Sequence, residues 1–171
     1  MKKQLFTLLS ISFILILFSC GGNAEKATSA KVEAKTDTAT ESVPSSISFS
    51  IEGNDLMQFN LDKIEVVEGQ EVTVSLKHVG QMSVDIMGHN WVLLANGTDV
   101  AGFGAAAVAA KETGYIPASL KDKVIAYTET IGGGQEASIT FTAPKPGYYT
   151  FICSFPGHYG VMQGTFISKP R

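Results

Sequence analysis

The chain has 171 residues, with 16 acidic against 13 basic side chains and a formal net charge of −3. That length suits one compact domain, and mild acidity without a basic stripe excludes nucleic acid as a partner class. Two cysteines, Cys20 and Cys153, exclude a disulfide-built scaffold.

The first residues read as an address rather than as fold. Lys2 and Lys3 precede a largely apolar run over 8–18, a charged n-region and an h-region too short for a permanent span. The run ends in LFSC at Cys20, followed directly by Gly21 and Gly22. This pattern resembles the lipobox of bacterial lipoproteins, in which the cysteine becomes the lipidated first residue of the mature chain. Phe18 is bulkier than that pattern usually has. Residues 1–19 are expected to be a signal peptide and Cys20 the lipidation site. Each buried acyl methylene contributes ~0.8 kcal/mol, so several chains on Cys20 anchor a protein stably in a membrane. Gly21 is not the aspartate that resembles an inner-membrane retention signal. The expected location is therefore outside the cytoplasm, on the outer membrane facing the periplasm.

Residues 21–45 are mostly Ala, Thr, Ser, Lys and Glu, with almost nothing large and apolar. Such a run cannot bury enough surface to offset its ordering entropy, so 20–45 is expected to be the lipidated cysteine and a flexible tether. Residues 46–171 remain for one domain, with 12 acidic and 8 basic side chains. With Cys20 lipidated, Cys153 is a lone thiol in an oxidising compartment. Metal ligation would protect it.

Within the domain, Ile47, Phe49 and Ile51 alternate with serines and predict a strand with one buried face. Residues 57–59 and 64–67 read as strand fragments around a turn at Asn60 and Asp62. After Gly69, Val72, Val74 and Leu76 alternate with Thr73, Ser75 and Lys77. His78, Gly80 and Gln81 interrupt the pattern before 84–87. Residues 90–95 form a further strand-like segment that places Trp91 in the core, and Asn96-Gly97 marks a turn. Residues 99–120, rich in alanine over 105–110, predict a short helix broken by Gly114 and Pro117. Strand patterns resume at 124–128, at Ala137, Ile139 and Phe141, at 148–152 and at 165–167. Seven to eight short strands with frequent turns predict an all-β sandwich.

The chemistry concentrates in residues 153–162, CSFPGHYGVM, where a thiol, an imidazole and a thioether share one short loop. Pro156 and Gly157 let that loop turn His158 back toward Cys153. His89 lies in a distant segment beside Gly88. Two imidazoles, a thiolate and a thioether are the soft set that suits copper in an electron-transfer site. A metal held by both segments is expected to bridge the two sheets at one end of the sandwich and to stabilise the fold. Taken singly, Cys153 could equally be an inert buried thiol, His158 a surface histidine and Met162 core filler.

Residues 87–93, MGHNWVL, and 153–165, CSFPGHYGVMQGT, resemble the azurins, blue-copper proteins of the cupredoxin family. The likeness runs on through LKHVG at 76–80, the Ala-rich insertion and KVIAYT at 123–128, and covers about 46–168. It implies a cupredoxin-like Greek-key β-sandwich with a short helical insertion and one copper ion cycling between Cu+ and Cu2+. His89, Cys153 and His158 would be equatorial ligands, Met162 a long axial ligand and the Gly88 carbonyl its opposite, as in azurins rather than plastocyanins. Asn90 would bond across to the Cys153 loop, and the Phe155 N–H would donate to the sulfur and raise the reduction potential. His78 matches a nearby histidine that is not a ligand. Met87, Phe155, Pro156 and Gly157 would frame the edge of His158 as a docking patch for redox partners such as a cytochrome c, a respiratory enzyme or a reductase. The implied role is reversible one-electron shuttling between extracytoplasmic partners, not catalysis. The chain departs from the family in lacking the disulfide that azurins carry remote from copper, and in its lipid signal and tether.

Other readings compete. A zinc site of Cys153, His89, His158 and water would be catalytic in class, but no carboxylate is placed as a base, and the C-x4-H-x3-M spacing argues against it. A dinuclear copper centre needs a second loop cysteine, and a multicopper oxidase needs more than the three histidines present. Copper storage or delivery would use the same residues as a carrier.

Overall fold

A computed structural model describes residues 44–171. The expected signal peptide, the lipidation of Cys20 and the tether up to residue 43 lie outside the described residues. No helix among the described residues is long and apolar enough to cross a membrane.

Alternating apolar and polar side chains sort the strands into two sheets. The smaller holds β1 (Ser46–Gly53), β3 (Glu71–His78) and β6 (Glu136–Thr142) in the order β1-β3-β6, with β1 parallel and β6 antiparallel to β3. The larger holds β2 (Lys63–Val67), β8 (Gln163–Lys169), β7 (Gly147–Ile152), β4 (Val92–Leu94) and β5 (Val124–Tyr127) in the order β2-β8-β7-β4-β5. The result is the expected all-β, cupredoxin-like sandwich with minor helical insertions.

Between the sheets, Ile51, Val72, Val74 and Leu76 pack against Ile64, Val66, Trp91, Leu93, Phe151 and Phe166. Each such side chain contributes about 1.5–3 kcal/mol on leaving water. Trp91 stands between Phe141 and Phe151, ring centroids 5.9 and 5.7 Å away. Its Nε1 is the one buried side-chain nitrogen or oxygen without a partner among the described residues, so this indole acts as core filler.

β4 is buried on both faces. Leu93 enters the core between the sheets, while Val92 and Leu94 turn outward with Ile152 onto Phe103 and Ile116. A strand covered on both sides reads as a continuous apolar run, as this one does. The cover is the Ala-rich insertion: α2 (Val100–Ala107), whose N-terminus is capped by Asp99 accepting from the Ala101 N–H, then 3₁₀ turns at Lys111–Thr113 and Ala118–Lys123.

Three expectations are corrected. Residues 57–59 are not a strand fragment: Phe59 makes a single bridge to Gly53, and the chain before it is a tight turn. The Asn54 carboxamide accepts from the N–H groups of Leu56 and Gln58, and Met57 takes a positive φ, which no strand allows. The strand expected over 90–95 shortens to β4. Residues 84–87, expected to resume the strand-like pattern, form instead a single helical turn, α1 (Val84–Met87).

Candidate metal centre

The site sits where β4 begins and β7 ends. These strands are antiparallel neighbours with Val92 opposite Ile152, so the residue three before Val92 and the residue after Ile152 emerge side by side. His89 and Cys153 therefore meet at one end of the larger sheet. This corrects the expectation of a metal bridging both sheets: both segments belong to the same five strands. Sequence separation carried no information on which distant strands would be neighbours.

The smaller sheet supplies a cover instead. Gly53, at the end of β1, lies so close to His89 that a Cβ there would sit 2.7 Å from the ring Cδ2. Beside it, the Asn54 carbonyl accepts a hydrogen bond from His89 Nε2 at 2.9 Å. With the proton held on Nε2, the Nδ1 lone pair faces the Cys153 sulfur, 3.9 Å away. That sulfur is also 3.6 Å from His158 Nδ1 and 3.9 Å from the Gly88 carbonyl oxygen. The donor atoms of His89, Cys153 and His158 all lie within 4.8 Å of one another, and all three residues are buried.

The loop after β7 is a compact double turn. The His158 N–H donates to Phe155 O, the Met162 N–H to His158 O, and the Cys153 N–H to Met162 O, at 3.0, 2.8 and 2.8 Å. Gly157 has φ +83°, a turn position that glycine fills without strain. Met162 is fully buried in one cluster with Cys153, Phe155, Tyr115 and Ala107.

Burial pushes the Cys153 thiol up to about 12, and the backbone N–H groups of Asn90 and Phe155 pull the other way. His158 is held down to about 4, first by burial and then by repulsion from His89 and His78. His89 is lowered chiefly by burial, with the Asn54 carbonyl opposing. At neutral pH the metal-free pocket thus holds neutral imidazoles and a protonated thiol. A thiophilic cation binds it by displacing one proton. The cluster offers nitrogen and sulfur donors and no carboxylate, which suits copper and not the hard, oxygen-seeking cations.

Asn90 ties the two segments together. Its Oδ1 accepts from the Ser154 N–H at 2.8 Å, and its Nδ2 donates to Ser154 Oγ at 2.9 Å and to Gly114 O at 3.0 Å. His78 is fully buried and stands behind His89 rather than among the donors. Of the anticipated docking residues, Met87 and Pro156 are half-buried and Gly157 is exposed. Phe155 and His158 are only 7% and 3% exposed, and their rings pack at 4.8 Å. Sequence reasoning missed the roles of Gly53, Asn54, Ser154 and Tyr115, and the Asn90 N–H directed at the sulfur. It also passed over the exposed apolar side chains of Met82, Val84, Ile86 and Val161 on flanking segments.

A sandwich of this topology with a buried two-nitrogen, one-sulfur pocket at one end defines a cupredoxin of the blue-copper class. The chain belongs to the family of copper binding proteins described as the plastocyanin/azurin family, whose model matches residues 45–168. An azurin of Achromobacter denitrificans is 46% identical over 122 residues, spanning 68% of this chain and 80% of that protein. Outer membrane protein H.8 of Neisseria meningitidis serogroup B is 42% identical over 118 residues, spanning 67% of this chain and 63% of that protein. Among solved structures, auracyanin A, a "blue" copper protein from Chloroflexus aurantiacus, is similar with a TM-score of 0.65 and 31% identity, covering 72% of this chain and 99% of that one. Family and site together mark an electron carrier, not a catalyst.

Proposed function

We propose that the protein shuttles single electrons between extracytoplasmic partners through one copper ion held by His89, Cys153 and His158. The Met162 thioether and the Gly88 carbonyl serve as weaker donors. The observation that carries this reading is the convergence of one ring nitrogen from each of two histidines and one Sγ within 4.8 Å of one another in a buried pocket, with both Nδ1 atoms 3.6–3.9 Å from the sulfur. When bound, copper supplies a one-electron couple between Cu+ and Cu2+.

The chain's own residues prepare that chemistry. The Asn54 carbonyl fixes the His89 tautomer, and Asn90 holds the two donor segments in register. The N–H groups of Asn90 and Phe155 stabilise negative charge on the sulfur, which raises the reduction potential. Close packing around a preformed pocket leaves little to rearrange when the charge changes. Met87, Phe155, Pro156 and Gly157 frame the His158 edge as the contact for a cytochrome c, a respiratory enzyme or a reductase, in a small and fast-dissociating encounter.

Residues 1–19 act as the signal peptide, Cys20 carries lipid and 20–45 tether the domain to the outer membrane, facing the periplasm. The LFSC-Gly-Gly pattern supports this, as does the name of the meningococcal relative. Radiolabelled palmitate should enter the wild-type chain and not Cys20→Ala; equal labelling would refute the anchor.

Mediated redox titration of the copper-loaded protein tests the carrier role. Repeated cycles with one electron per chain and full retention of copper are expected. Copper lost to a mild chelator on each reduction would favour delivery instead.

A further inference from the structure

The insertion between β4 and β5 does more than cover a sheet. Gly114 and Tyr115 both have φ of +65°. Glycine takes that conformation freely, whereas for a tyrosine it costs roughly 1–2 kcal/mol. Such a cost persists only where the surroundings over-determine it.

Here they do. The Gly114 carbonyl accepts from Asn90 Nδ2 at 3.0 Å and from the Thr130 hydroxyl at 3.2 Å. The Tyr115 carbonyl accepts from the Ser154 hydroxyl at 2.9 Å. Asn90 follows His89 and Ser154 follows Cys153, so consecutive carbonyls of one left-handed turn bind the neighbours of two donor residues. The Tyr115 ring is buried edge-on against Phe155 at 5.0 Å, in the cluster that holds Cys153 and Met162. Relaxing Tyr115 to negative φ would swing its carbonyl away from Ser154, a fully buried residue, and leave that hydroxyl only a longer contact to Asn90 Oδ1 at 3.3 Å, an oxygen already accepting from the Ser154 N–H.

We propose that Tyr115 is a positioning residue for the metal site: its left-handed turn clasps Asn90 and Ser154 from outside the sheet, its ring braces Phe155, and together they hold the Cys153 sulfur in place. The inference rests on the copper reading only where copper-loaded protein is measured. In metal-free protein it concerns the accessibility of one buried thiol.

The test uses the full chain with Cys20→Ser, leaving Cys153 as the one thiol, and compares Tyr115→Phe, Tyr115→Gly, Tyr115→Ala and Ser154→Ala. The rate of Cys153 modification by an aromatic disulfide reagent is read metal-free under native conditions, and the sulfur-to-copper absorption band is read after loading. Tyr115→Phe should leave both unchanged. The Gly, Ala and Ser154→Ala variants should react about tenfold faster, the factor that loss of one edge-to-face contact or one buried hydrogen bond supplies to local opening. Their absorption bands should also shift. Tyr115→Gly, freed of the φ cost, should unfold at a higher midpoint than Tyr115→Ala while reacting as fast. Variants that unfold earlier yet keep the wild-type thiol rate and band would overturn the clasp, because they would show a merely structural residue. So would Tyr115→Phe opening the site as fully as Tyr115→Gly. A colourless wild-type protein would remove the copper reading while the thiol rates still decided the clasp.

Discussion

The imidazoles of His78 and His89 stack with ring centroids 4.4 Å apart and 16° between their planes. His78 Nδ1 accepts from the Gly80 N–H at 3.1 Å, and its Nε2 donates to the Met87 carbonyl at 2.8 Å. Neither nitrogen is left for a cation, so this histidine backs a donor without being one.

His78→Leu keeps a large buried side chain but strands the Gly80 N–H and the Met87 carbonyl. It should lower the unfolding free energy by about 2–4 kcal/mol while copper still binds one to one. Denaturant titration and metal analysis of the same sample check both halves. Loss of copper binding in a folded variant would put His78 among the donors.

The metal-free protein should be most stable between about pH 6.5 and pH 9. Burial lowers His158 from 6.5 to about 4, so between those values the unfolded chain binds a proton that the folded one refuses. The stability linked to this group is complete above pH 6.5 and is lost as pH falls toward 4. His89 is lowered too and adds in the same direction. Cys153 is raised from 9.0 to about 12, so the unfolded chain ionises first and stability falls as pH rises through that interval. Urea unfolding across pH 4 to 11 should trace both slopes; a flat profile would contradict the burial argument.

Copper should raise the unfolding midpoint, because the unfolded chain does not hold the donors together. Free metal at about a thousand times its dissociation constant adds roughly 4 kcal/mol. The effect is the more visible because Cys153 is the one cysteine among the described residues and is unpaired, so no disulfide braces them. Equal midpoints with and without copper would remove the pocket from the fold's energetics.

Two glycines near the site should behave differently. Gly53→Ala would place a methyl 2.7 Å from the His89 ring and should shift the copper absorption band. At Gly157 a Cβ meets nothing within 4 Å, so Gly157→Ala should cost only the strain of its positive φ, about 1 kcal/mol, and leave the band in place. Absorption spectra and unfolding curves of the pair separate the cases; matching band shifts would show that Gly53 does not limit the ring.

Much of this was legible in the residues because two kinds of local signal were strong. Clean alternation at Val72, Val74 and Leu76 marked β3, and the spacing from Cys153 to His158 and Met162 marked one half of the site. The gaps are positions where distant contacts decide. Residues 57–59 have strand-like composition, but Asn54 captures their backbone into a turn. Which strands neighbour one another is a property of the whole sheet, so the placement of His89 and Cys153 on one sheet could not be read from their separation. Tyr115 is a further instance: its carbonyl and ring matter only because Ser154 and Phe155 arrive from 39 and 40 positions along the chain.

The most direct measurement is the visible spectrum of full-length protein titrated with Cu2+, beside a Cys153→Ser variant. One equivalent should turn the wild type intensely blue and make Cys153 unreactive to thiol reagents, while the variant stays pale. A folded wild type that remains colourless with its thiol still reactive, or a variant that keeps the full band, would contradict copper ligation by Cys153.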